Sequence, residues 1–248
     1  MWPIFHKFGS PPWLYAIAGS ILRWLLPITL LALVTGAVWG LLFTQPERIQ
    51  GNSYRIIYIH VPAAVVALAG YYVMALAGAV SLIWRMKMAD VAMKAAAPVG
   101  AAFTFIALVT GAVWGKPTWG TWWVWDARIT SMLILFFLYL GVVALYEAFD
   151  NKEAASKACA VLSLVGTVNI PIIYKSVDWW YALHQGATIK FTGESSIHSS
   201  MLWPLLLMIG AFYALFTCCL LLNMRAELLQ RESRTQWVKK LVTKAGSP

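Results

Sequence analysis

The sequence predicts an all-α, polytopic integral membrane protein: six transmembrane helices with a Trp-rich outer loop. Three observations carry that prediction. Of 248 residues, 60% are hydrophobic and 12% charged, and the mean hydropathy of +0.69 is far from that of a soluble domain. Asp, Glu, Lys and Arg are absent from six long runs, 24–46, 56–84, 95–115, 129–146, 158–174 and 195–224. Each is long enough for a membrane helix, which needs about 17–25 apolar residues. Finally, five of the 14 tryptophans fall between Trp114 and Trp125, punctuated by Gly115, Pro117 and Gly120, which places a connection there and not the middle of a span.

Taken in order, the spans are expected at about 24–46, 56–84, 95–115, 129–149, 158–176 and 201–223. They form one domain over 1–224, with a basic tail at 225–248. The first run lacks a small-residue cleavage site and reads as a retained span. Pro27 lies early in it. Pro62, Pro98 and Pro204 are expected in first turns, where a missing N–H matters little. Pro171, beside Asn169, is expected to bend the fifth helix near its exit. The tail, from Arg225 to Lys244, reads either as a basic amphipathic segment on the membrane surface or as a solvated extension.

Composition also excludes functions. The net charge of +9 is spread over loops and tail, not massed in a patch, so nucleic acid is not a partner. Cys159, Cys218 and Cys219 form no C-x-x-C or C-x-x-C-H, which argues against thiol redox chemistry and covalent c-type haem attachment. There is no Walker motif, zinc-spaced cluster or nucleophile–base pair. Acids on the Trp side are few (Glu47, Asp126, Asp178 and Glu194), so neither hydrolysis nor ATP use is expected and the chain does not read as an enzyme.

Of the 19 Lys and Arg residues, 13 belong to the N-terminus, second loop, fourth loop and tail, and 6 to the first, third and fifth loops. The positive-inside rule then puts both termini in the cytoplasm. Whatever the orientation, six spans bring loops one, three and five to one face. The Trp-rich stretch, 114–128, is loop three. His60 stands where loop one enters the second span. His184 lies in loop five, as does His198, which follows a Gly-Glu-Ser-Ser segment and is a spare. His6 is on the other face.

Two neutral imidazoles beside an aromatic platform of Trp114, Trp119, Trp122, Trp123 and Trp125 suit axial ligation of haem iron, with indoles covering the porphyrin. His60 at a helix N-terminus sits where the dipole disfavours imidazolium. Trp180 precedes His184 by four residues and would share its face on a helix. Arg55, Lys116 and Arg128, with Arg48 near them, could meet propionates. Asp126 reads as the N-cap of the fourth helix. By chemistry alone the histidines read equally as polar anchors at a membrane interface; an aromatic belt is the lesser reading of the tryptophans, since a belt needs one or two per helix end.

Trp114-Gly115, followed by Trp119-Gly120-Thr121-Trp122-Trp123-Val124-Trp125-Asp126-Ala127-Arg128, closely resembles the WWD signature of haem-handling proteins in cytochrome c biogenesis. Six spans and this length are similar to the haem exporter protein C (CcmC) branch. Gly51-Asn52-Ser53-Tyr54-Arg55 leading to His60-Val61-Pro62, and Trp179-Trp180 leading to His184-Gln185-Gly186, resemble it too. The similarity covers about Pro12 to Trp237. It implies a bacterial inner-membrane protein that holds haem b non-covalently at the periplasmic face, with His60 and His184 as axial ligands and Asp126 within the haem-binding motif. It also implies delivery to a membrane-anchored periplasmic haem chaperone, alongside the ATPase and permease of an ABC transporter, a small single-span subunit and membrane lipid. Two other readings stand beside it: a quinol-oxidising, cytochrome b-like subunit, and a transporter subunit whose Trp loop docks a partner without haem.

Overall fold

The computed structural model describes residues 9–184 and 197–245. Among these, eight α-helices carry the chain and no strand forms. They are α1 (Pro11–Val38), α2 (Ile57–Trp84), α3 (Lys87–Trp119), α4 (Ala127–Ala148), α5 (Lys152–Gly166), α6 (Asn169–Trp179), α7 (Ser199–Arg231) and α8 (Gln236–Ala245). A π-helical turn, Trp39–Phe43, ends α1, and a 3-10 turn, Ser53–Ile56, opens α2. Six segments are long and apolar enough to cross a membrane, with α5 and α6 together making the fifth. The protein is therefore an all-α, multi-pass membrane protein.

Helices α2 and α3 form the centre. The first packs against α3, α5 and α7; the second also meets α4 and α7, while α1 lies against α7 and α6 against α4. Their contact is rich in small residues (Ala63, Ala67, Ala96, Ala97), which are buried and let the backbones approach closely. Tyr139 of α4 enters this layer and donates to the Ala67 carbonyl at 2.8 Å.

Several spans run further than the charge-free runs predict. Helix α1 starts at Pro11, which leaves Pro27 mid-helix. Pro62, Pro98 and Pro204 lie inside α2, α3 and α7, not in first turns. The reason is visible in α3, whose charged beginning is paired. Lys94 meets Glu227 at 3.0 Å, Lys87 meets Glu232, and Asp90 meets Arg231 and accepts from the Tyr146 hydroxyl at 2.5 Å. Their partners on α7 and just beyond it make charges tolerable within a helix that sequence alone would start later.

The tail expected from residue 225 thus begins as the end of α7. Helix α8 is also tied to the bundle: Trp237 lies 5.6 Å from the Tyr15 ring and Val238 is buried. The fifth span is broken at Thr167–Val168, so Pro171 falls in the first turn of α6. Asn169 at that break donates to the Ser131 carbonyl of α4 at 2.9 Å.

Candidate functional site

Helix α3 has 33 residues, about 50 Å at 1.5 Å per residue, against a hydrocarbon thickness of about 30 Å. Its last turns therefore stand clear of the apolar slab or tilt, and they carry Trp114 and Trp119. The Trp-rich stretch is part helix up to Trp119, and only the remainder to Asp126 is irregular. Gly120, with φ of 78°, takes the left-handed conformation that ends the helix. Its N–H reaches back to the Lys116 carbonyl at 3.1 Å.

Trp114 is pinned from loop one. Its indole Nε1 donates to Gln50 Oε1 at 2.8 Å. Gln50 is set by a tight turn in which the Glu47 carboxylate accepts the N–H groups of Ile49 and Gln50 at 2.8 and 2.7 Å. Those two bonds, Gln50 first, hold the Glu47 carboxyl below its usual range.

His60, near the start of α2, faces α3. Its Nδ1 lies 3.0 Å from the Ala107 carbonyl and 3.2 Å from Thr110 Oγ1. A carbonyl can only accept, and the Thr110 hydroxyl already donates to the Ile106 carbonyl at 2.6 Å. Nδ1 therefore carries the hydrogen, and the lone pair is on Nε2. The imidazole sits edge-on to Trp114, with ring centroids 5.7 Å apart. Gly111 makes room for it: a Cβ there would lie 3.0 Å from His60 Cε1.

His184 comes from the irregular chain after α6. The helix ends at Trp179 and Trp180 is extended, with φ of −131°, so Trp180 and His184 do not share a helix face as expected. Trp180 instead stacks edge-on with Trp179 at 5.7 Å. The indole on His184 is Trp119, at 4.9 Å. His184 Nδ1 also lies 3.6 Å from Asp126 Oδ2, and both atoms are buried without a hydrogen-bond partner among the described residues. Burial pushes the His184 imidazolium pKa down, with Asp126 opposing and Arg128 adding to the effect. Asp126 Oδ1 meanwhile caps α4, accepting from the Ile129 N–H at 2.7 Å.

The cations that bear on the site have no acidic partner within 4 Å among the described residues. Arg55 donates to the Thr44 carbonyl at 2.6 Å, with its Nε buried and unpaired. Arg128 donates to Ser176 Oγ at 3.3 Å and the Tyr174 carbonyl at 3.2 Å. Lys116 donates to the Gly120 carbonyl at 3.1 Å. Trp122 and Trp125 are exposed, whereas Trp123 is half-buried against Trp125 at 5.4 Å with its N–H unpaired. His198 is spent as the N-cap of α7, its Nδ1 accepting from the Ser200 N–H at 3.3 Å. His6, Gln185, Gly186 and Glu194 lie outside the described residues.

The sequence offered no signal for Ala107, Thr110 and Gly111 as the seat of His60, nor for Gln50 as the partner of Trp114. It set Trp180 against His184 on a helix face, whereas the ring beside His184 is that of Trp119, a residue already named for the aromatic platform. The assembled rim offers two imidazoles from separate segments, an indole surface and cations without carboxylate partners among the described residues. Such a set can take a flat, apolar metal macrocycle that bears carboxylates.

The family model CcmC, heme exporter protein C, matches residues 4–239. Heme exporter protein C of Escherichia coli (strain K12) is 49% identical over 246 residues, covering 99% of each chain. That of Haemophilus influenzae is 48% identical over 241 residues, 97% of this chain and 98% of the relative. That of Bradyrhizobium diazoefficiens is 47% identical over 227 residues, 92% and 86% respectively. With the family model spanning nearly the whole chain and these relatives aligned over most of their length, the protein belongs to the CcmC, heme exporter protein C, family.

Proposed function

We propose that this protein binds haem b, without covalent attachment, at the periplasmic face of the bacterial inner membrane and hands it to a membrane-anchored periplasmic haem chaperone for cytochrome c maturation. His60 and His184 are the axial ligands. Trp114, Trp119, Trp122, Trp123 and Trp125 cover the ring, with Trp180 at its edge. Asp126 belongs to the same site, and Arg55 and Arg128 receive the propionates. The chain is a haem-delivery protein and not an enzyme. It works with the ATPase and permease of an ABC transporter and a small single-span subunit, with both termini in the cytoplasm.

The observation that carries this reading is the state of the two imidazoles. His60 turns Nδ1 to protein oxygens that can only accept from it, and His184 turns Nδ1 toward a carboxylate. In both rings Nε2 is the nitrogen left to coordinate iron, and each ring is edged by an indole of α3. Haem, when bound, would supply an iron centre that imidazole nitrogens can ligate. The chain aims both imidazoles and edges each with an indole.

The purified protein, titrated with hemin, is expected to give a six-coordinate Soret spectrum. The double variant His60→Ala, His184→Ala is expected to lose it, and retention of that spectrum would sink the ligand assignment. Each single variant is expected to bind more weakly and to shift toward a five-coordinate spectrum.

A further inference from the structure

We infer that Asp126 is a positioning residue for His184: one carboxylate caps α4 through Oδ1 and holds the axial imidazole through Oδ2. This rests on the reading of His184 as a haem ligand. Asp126 is 8% exposed, and its two oxygens have different fates. Oδ1 is committed to the Ile129 N–H at 2.7 Å, which fixes the carboxylate on a rigid helix end. Oδ2 is buried, has no hydrogen-bond partner among the described residues, and faces a His184 Nδ1 in the same condition at 3.6 Å.

A buried polar atom left unsatisfied keeps the full desolvation penalty of its burial. Two complementary ones facing each other just beyond bonding distance will close when either side shifts by about half an ångström, the gap to a bond of about 2.7–3.2 Å. Nearby donors do not compete for Oδ2, since the Arg128 guanidinium is turned to Ser176 and the Tyr174 carbonyl.

His184 needs such support more than His60 does. His60 stands on α2, with its neighbours supplied by α3. His184 stands on chain that has left the helix, and among the described residues it is held from outside, by Trp119 and by Asp126. Both grips come from the two ends of one short connection, Trp119 at the end of α3 and Asp126 at the start of α4. The aromatic connection therefore fixes the direction of His184 Nε2, and the carboxylate, by accepting the Nδ1 hydrogen, makes Nε2 the more basic donor.

The experiment compares hemin affinity and haem reduction potential in the full-length protein, wild type against Asp126→Asn and Asp126→Ser. Both replacements still cap a helix, so a capping role alone predicts wild-type behaviour in each. The positioning role predicts hemin binding about 10–100-fold weaker in both, a raised reduction potential in Asp126→Asn, and a thermal midpoint close to wild type. Affinity within twofold of wild type at unchanged potential in either folded variant would overturn it. The His60→Ala, His184→Ala control reports on the other premise. If that variant binds hemin as tightly as wild type, the ligand reading fails, whatever Asp126 does.

Discussion

Single residues decide how Trp114 is held. Its indole bonds to Gln50, which sits on the turn clamped by Glu47. A carboxylate whose folded pKa is depressed adds stability above its ordinary value of 4.5 and loses that contribution as pH falls through the lower folded value. The anchor is therefore expected to be insensitive between about pH 5 and 8 and to loosen below about pH 4, because only there does the carboxyl gain a proton. The fluorescence difference between wild type and Trp114→Phe, followed through an acid titration, checks this. Glu47→Gln at neutral pH should reproduce the acid spectrum. Gln50→Ala should weaken the same anchor by about 0.5–1.5 kcal/mol, the net worth of one hydrogen bond. On the other side of the site, Gly111→Ala would bring a methyl to 3.0 Å from the His60 ring. The ring must move by a few tenths of an ångström, and severalfold weaker hemin binding is expected in a titration, with little change in melting.

At the scale of elements, the six spans, their shared rim and the Asp126 cap were legible because each rests on local pattern: charge-free length, parity of crossings and an acid before an apolar run. The ends of the elements were not. Helix α3 reaches back to Lys87 because α7 and the turn after it bring acids to Lys87 and Lys94. That pairing joins residues far apart in the chain and leaves no local mark. Trp180 was assigned to the face of His184 on the premise that α6 continues. It stops at Trp179, and the indole on His184 comes from a helix far earlier in the sequence. The break between α5 and α6 makes a further prediction. Asn169 spans it to the Ser131 carbonyl at 2.9 Å and ties α6 to α4. Asn169→Ala should cost about 1 kcal/mol of stability, read as a lower thermal midpoint in detergent. It should also weaken hemin binding, since α6 carries the Ser176 and Tyr174 groups that hold Arg128.

Across the whole molecule, polar chemistry is divided between two rims. One carries the histidines and indoles. The other carries a buried ionic cluster in which Arg231 of α7 meets both Asp90 of α3 and Glu227 of its own helix, while Tyr146 of α4 donates to Asp90. Side-chain exposure of Asp90 and Arg231 is 10% each, so neither can turn to water when its partner is removed. Asp90→Ala should therefore destabilise the protein by about 3–5 kcal/mol, the penalty for stranding one charge of a buried pair. It also leaves the Tyr146 hydroxyl without its carboxylate. Replacing both Asp90 and Arg231 with leucine should recover part of the loss, because no lone charge remains. The two rims share no polar contact among the described residues, and the small-residue packing of α2 on α3 separates them. Hemin affinity of the folded Asp90→Ala fraction is thus expected to match wild type even as its melting temperature falls. A parallel drop in affinity would show that the cluster sets the spacing of α3 and α4, and with it the grip of Trp119 and Asp126 on His184.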